Sequence, residues 1–196
     1  MTTEGNRQRH RLHTPHGTLT RTDWLCSDGT WNRKEFFVTR VEDLAILRYV
    51  VENTRFEPRY EVIERIREQL GDWGQGDIVV SRSPLGKLVH EYMGFENVIY
   101  ALHDEPEPFL EFMEIQEQRD LEVVELAAKA PERLVIMSDH TDENLISPHQ
   151  WVNYCVPFYR KMNAILHRSG KFVSTHLDGN FKSYFRFLDQ PGFDLL

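Results

Sequence analysis

The 196-residue sequence has only two cysteines, Cys26 and Cys155. That excludes a disulfide framework and a thiolate metal cluster, and Cys155 reads as a small hydrophobe buried on a helix. No run approaches the ~18 apolar residues of a membrane-crossing helix. The polar start, Met1 to Arg11, lacks the apolar middle section of a secretory signal. An excess of positive charge is also missing: 23 Lys and Arg against 31 Asp and Glu leave a net charge of −8. Such a balance offers no general attraction to a nucleic-acid backbone or an anionic membrane surface. No Gly-x-Gly-x-x-Gly and no phosphate-loop motif follows any apolar run, and internal repeats and low-complexity segments are absent. These absences describe a cytoplasmic protein that handles a small molecule, without nucleic acid or membrane as partner.

What is present suffices for a real core in one large domain or at most two, with 40% apolar and 12% aromatic residues. The one local charge anomaly is at the start, where Arg7, Arg9, Arg11 and Arg21 share a stretch with His10, His13 and His16. It reads as a solvated arm or hairpin strand rather than a phosphate clamp. Strand-like letters at His13 to Arg21 and Glu35 to Val38, around Gly17 and the Asp28-Gly29 turn signal, predict one or two antiparallel hairpins.

From Thr39 the apolar period lengthens. Val41, Leu44, Leu47 and Val51 share a helix face, with Thr39 and Glu42 spaced as a capping box. A second helix runs from about Arg59 and stops at Gly71 and Gly74. Asp77-Ile78-Val79-Val80-Ser81 then reads as a buried parallel strand bounded by Ser83-Pro84. Helices follow over Leu85 to Met93 and from about Pro106 to Ala128, then a second strand, Arg133 to Met137. Ser147-Pro148-His149-Gln150 opens a further helix with a Ser cap, Pro at the first position and Gln closing the box. Pro157 is expected to kink that helix. A third strand, Lys171 to His176, a short helix from about Asn180 to Leu188 and a fourth apolar run, Phe193 to Leu196, complete the chain. Strands alternating with helices imply right-handed crossovers and a parallel sheet, in either an open doubly wound sheet or a barrel.

In both architectures the chemistry sits at the C-terminal ends of the strands. The second strand runs into Ser138-Asp139-His140-Thr141-Asp142-Glu143-Asn144, and the third into His176-Leu177-Asp178-Gly179-Asn180. Alternation along a strand puts His176 and Asp178 on one side and Leu177 on the other. An imidazole and a carboxylate so placed suit a divalent metal or acid/base catalysis. Asp139, Glu143, His176 and Asp178 are the candidate catalytic residues, and His176 and Asp178 the candidate metal ligands. Arg82, which could grip a substrate carboxylate, and His140 are the candidate substrate-binding residues. The structural alternative is a turn at Asp178-Gly179, a helix cap at Asn180 and a solvated acidic loop.

The segments Ser138-Asp139 through Ser147-Pro148, Val156-Pro157-Phe158-Tyr159-Arg160-Lys161, Ile165 through Lys171 and His176-Leu177-Asp178-Gly179-Asn180 together resemble the uroporphyrinogen decarboxylase family. The resemblance implies a (β/α)8 barrel, and a family holding both decarboxylases and cobalamin-dependent methyltransferases. The decarboxylase branch implies a cofactor-free site with arginines on the acetate arms of a tetrapyrrole; the arginines at Arg7 to Arg11 lie in a different context. The methyltransferase branch implies zinc on a His-x-Cys pair and a corrinoid carried on a partner protein. Here His176 matches the histidine, and Asp178 replaces the cysteine with a harder oxygen donor.

The expectation is therefore an α/β chain with an arm and hairpin over residues 1–38. Residues 39–196 would form the N-terminal portion of a partial (β/α)8 barrel whose C-terminal strands are missing, either truncated or completed as a homo-oligomer. The expected activity is corrinoid-linked methyl transfer from a small methylated substrate. The alternatives are tetrapyrrole decarboxylation and a degenerate, non-catalytic barrel used for binding or assembly.

Overall fold

The computed structural model describes residues 1–176 and 178–196. In chain order the elements are β1 (Thr2–Glu4), β2 (Arg7–Thr14), β3 (Gly17–Leu25), β4 (Trp31–Glu35), α1 (Leu44–Asn53) and α2 (Tyr60–Leu70). They continue with β5 (Asp77–Val80), α3 (Pro84–Lys87), α4 (Phe95–Asp104), α5 (Pro106–Lys129), β6 (Leu134–Met137), α6 (Pro148–Gln150), α7 (Val156–Arg168) and β7 (Phe172–Thr175). The fold is mixed α/β. None of its described helices is long and apolar enough to cross a membrane.

Two compact units divide the chain, one of residues 1–54 and 87–116 and the other of residues 55–86 and 117–196. The first carries the antiparallel sheet β1-β2-β3-β4. Its basic N-terminal stretch is a regular strand, β2, paired along its whole length with β3. The β3–β4 connection is the Asp28-Gly29 turn, where Asp28 Oδ1 accepts from Thr30 N at 2.9 Å and Gly29 takes φ 84°. The extended segment expected at Glu35 to Val38 lies instead at Trp31–Glu35, and only Glu35 belongs to both. Val38 leaves the sheet to pack in the core, its N–H donating to Tyr92 O at 2.9 Å. Leu19 of β3 is buried in this unit, as are Leu44, Leu47 and Val51 of α1, the face their spacing foretold.

Capping at the head of that segment differs by one residue from the expected pair. Asp43, rather than Glu42, receives Thr39 N and Arg40 N, each at 3.2 Å. A single 3-10 turn, Val41–Asp43, precedes α1 and shifts the register of the cap.

The second unit is built on the parallel sheet β5-β6-β7. Val80, Met137 and Thr175 stand in register, as do Ile78, Val135 and Val173. These two rows make the packed face, where Val80, Val135, Met137, Val173 and Thr175 are all buried. The opposite face is open: Val79 is 62% and Phe172 48% exposed. The expectation of a buried first strand is thus corrected. β5 is parallel, but it is the sheet's edge and hides only one of its faces. The fourth apolar run makes a parallel bridge, Leu195 against Ser174, which adds a beginning to the other edge.

Ser147 caps its helix as its sequence required, Oγ accepting from Gln150 N at 3.2 Å and Gln150 Oε1 from Ser147 N at 2.9 Å. The expected break near Pro157 takes the form of a widened π-turn over Trp151–Cys155, after which α7 begins with the proline in its first turn. Pro157 has no N–H to return to the preceding turn, so the backbone relaxes there and the helix then resumes.

Candidate functional site

The β6 and β7 strands place the candidate residues by simple register. Met137 pairs with Thr175, so His140 and Asp178 lie equally far beyond that pair on adjacent strands. Their side chains meet: His140 Nδ1 stands 2.7 Å from Asp178 Oδ1. His176 Nε2 lies 3.9 Å from the other oxygen, Oδ2. Asp178 is therefore a carboxylate between two imidazoles at the C-terminal edge of the parallel sheet. His176 is exposed and Asp178 and His140 half-buried, so this group is open to a solute. The expected orientation of Leu177 lies outside the described residues.

Glu143 does not join this group. Its carboxylate accepts from Ser183 N at 2.8 Å, while its own N–H donates to Asn180 O at 2.7 Å. Asp142 accepts from Asn144 N at 2.8 Å and from Asn180 N at 3.4 Å. The two acids thus fasten the loop after β7 to the loop after β6. The bonds from Ser183 hold the Glu143 carboxyl below the usual range, and that from Asn144 N does the same for Asp142.

Asp139 lies apart from both groups. It is 3% exposed, and its Oδ2 accepts from Tyr159 Oη at 2.7 Å and from Ser83 N at 3.1 Å. Its Oδ1 is buried with no hydrogen-bond partner among the described residues. Gly86 lies close: a Cβ there would stand 2.1 Å from Oδ1. Ser83 Oγ accepts from Gly86 N at 3.1 Å, capping α3, and donates to Cys155 Sγ at 3.5 Å. Burial first, and the Asp139 charge second, push the Tyr159 hydroxyl and the Cys155 thiol well above their ordinary values. Both keep their protons at neutral pH. Asp139, Ser83, Tyr159, Cys155 and Gly86 form a buried polar knot that joins the end of β5, the end of β6 and α7. Arg82 sits half-buried immediately before Ser83, with its own partners in the protein.

Sequence reasoning missed Ser83, Gly86 and Tyr159. One signal was available, because Ser83-Pro84 repeats the Ser-Pro start that marked Ser147-Pro148.

The donor set bears on zinc. His176 and Asp178 supply two ligands, and among the described residues no group of three His, Cys, Asp or Glu stands together as a metal site. A catalytic zinc takes three protein ligands. The two donors are one fewer than that, and an imidazole beside a carboxylate also has the make-up of an acid/base pair.

An open parallel sheet with alternating helices, carrying an imidazole–carboxylate group at the strands' C-terminal ends, is an α/β scaffold. The profile of the uroporphyrinogen decarboxylase (URO-D) family matches residues 32–196, and the chain belongs to that family. Among solved structures it is similar to a methyltransferase from Methanosarcina mazei, with a TM-score of 0.56 and 16% identity. That similarity covers 69% of this chain and 40% of the methyltransferase, so the chain spans less than half of its structural neighbour. No curated protein matches significantly.

Proposed function

We propose that the chain is a methyltransferase-type member of its family, acting on a small methylated substrate with a corrinoid carried on a partner protein as methyl acceptor. The observation that carries this reading is the Asp178 carboxylate set between His140 and His176 at the open end of the sheet. The methyltransferase neighbour supports the fold in which such a site works.

In this reading the corrinoid, when bound, supplies the nucleophile that takes the methyl group. The residues of this chain handle the proton. As the bond between methyl carbon and substrate oxygen breaks, the oxygen gains negative charge and needs a proton. His176, exposed at the edge, donates it in this reading. Asp178 stands 3.9 Å from His176 Nε2, and His140 lies 2.7 Å from the other oxygen of Asp178.

The proposal also takes the parallel sheet as the first part of a (β/α)8 barrel. Three strands stand in order, and Leu195 begins a fourth beside β7. The open face around Val79 and Phe172 is then the one that further strands of a barrel would cover.

The activity is tested by mixing the purified protein with methanol or a methoxylated aromatic and free cob(I)alamin, following methylation by absorbance. Wild type is expected to accelerate methylation, and His176→Ala and Asp178→Asn to lose roughly 10²-fold or more, the usual span of an acid/base group. Carbon dioxide released from uroporphyrinogen, with no methyl transfer, would move the chain to the decarboxylase branch. Neither activity, together with a melting temperature indifferent to every ligand tried, would leave a binding module.

A further inference from the structure

We propose that the outer face of the N-terminal sheet is a binding site for a small phosphorylated ligand, held by Arg7, Arg9 and Arg11. These arginines precede the part of the chain that matches the family, residues 32–196, so the family's chemistry does not account for them.

They alternate along β2 and therefore share one face, roughly 6.8 Å apart at two strand residues per step. The register fills the same face with hydroxyls. Thr2 of β1 pairs with Arg9, and Thr22 and Thr20 of β3 pair with Arg9 and Arg11. Trp24 pairs with Arg7, whose guanidinium lies 4.5 Å above the indole ring. Thr2, Glu4, Arg7, Arg9, Arg11 and Thr22 enclose a hollow of about 270 Å³. Within the lining three guanidinium groups stand against the single carboxylate of Glu4; Glu35 lies next to it, accepting from Thr22 Oγ1 at 2.5 Å, so among the described residues the free hydroxyls of the face are those of Thr2 and Thr20.

Arg21 lies 2.9 Å from Asp23, Arg48 2.8 Å from Glu52 and Arg59 2.7 Å from Glu61, each with a carboxylate against it. Arg7, Arg9 and Arg11 have no such partner within 4 Å among the described residues. A chain with a net charge of −8 that sets three arginines side by side, with Glu4 alone opposite Arg7, leaves a local excess of positive charge for an anion. Guanidinium forks and hydroxyl donors suit the tetrahedral oxygens of phosphate. The hollow, with Glu4 in its lining, favours a small ligand over a continuous polyanion, since a carboxylate repels a strand of phosphates running past it.

The probe is inorganic pyrophosphate, titrated into the full chain at low salt by calorimetry and by the fluorescence of Trp24, with Trp24→Phe assigning the signal. Saturable binding is expected, weakened at least ~10-fold in Arg9→Gln/Arg11→Gln at unchanged thermal stability and partly restored in the Arg→Lys pair. Three results would overturn the site: no saturable binding, equal binding by the Gln variant, or citrate binding as tightly as pyrophosphate. Tighter capture of a single-stranded oligonucleotide than of pyrophosphate would reassign the face to nucleic acid and overturn the small-ligand reading.

Discussion

Tyr159 donates its hydroxyl to Asp139 Oδ2 across 2.7 Å, in a place where both side chains are almost wholly buried. Asp139, a catalytic candidate from the sequence, thus also ties together the ends of β5, β6 and α7. Ser83 N is its other donor. Asp139→Ala orphans both donors in the interior, and the expected loss is about 2–4 kcal/mol of unfolding free energy. Tyr159→Phe removes one donor and should cost about 1–2 kcal/mol. Urea denaturation measures both; an Asp139→Ala variant as stable as wild type would contradict the arrangement.

Acid should release the loop after β7. Glu143 and Asp142 titrate below their ordinary values of 4.5 and 3.8 because they accept bonds from Ser183 and Asn144. A depressed folded value means that the stabilising contribution is complete above the ordinary value and is lost as pH falls through the lower, folded one. The amide shift of Ser183, followed by NMR, is expected to titrate with a midpoint below 4.5 in wild type and to lose that step in Glu143→Gln. A midpoint above 4.5 would show that the Ser183 bond is absent in solution.

The two cysteines should differ sharply in reactivity. Cys155 is fully buried, and burial together with the Asp139 charge pushes its thiol far above the ordinary value, so no thiolate forms at neutral pH. Cys26 is partly exposed. Iodoacetamide at neutral pH is expected to add one group to the native protein, at Cys26, and a second only after denaturation. Native modification of Cys155 in a peptide map would mean that the knot around Asp139 opens readily.

Local signals were legible wherever one short segment carried all the information. The Ser147 cap, the Asp28-Gly29 turn and the stop of α2 at Gly71 each depend on a few adjacent residues. Exposure of β5 was not legible, because its letters suit a central strand and only the neighbour order makes it an edge. The contact of His140 with Asp178 required the β6–β7 register, which no single segment contains. Asp139 and Glu143 looked equivalent in one acidic loop. Their fates diverge because one side chain turns under the sheet's end to Ser83 and Tyr159, and the other reaches across to Ser183.

Gly86 offers the most direct test of how tightly that end is built. It sits in α3, where its N–H donates to Ser83 Oγ, and its Cα faces Asp139. In most helices Gly→Ala is stabilising by about 1 kcal/mol through propensity and unfolded-chain entropy. Here the added methyl would stand 2.1 Å from Asp139 Oδ1 and 2.9 Å from its Cγ, so the carboxylate must move. Moving it breaks the bonds to Ser83 N and Tyr159 Oη, and overpacking of a filled interior adds about 1–3 kcal/mol. Gly86→Ala is therefore expected to destabilise the protein in urea, against the usual sign. Combining it with Asp139→Ala removes the clash, so the double variant should lose less than the sum of the two single losses. Strict additivity of the pair would show that Gly86 and Asp139 do not touch.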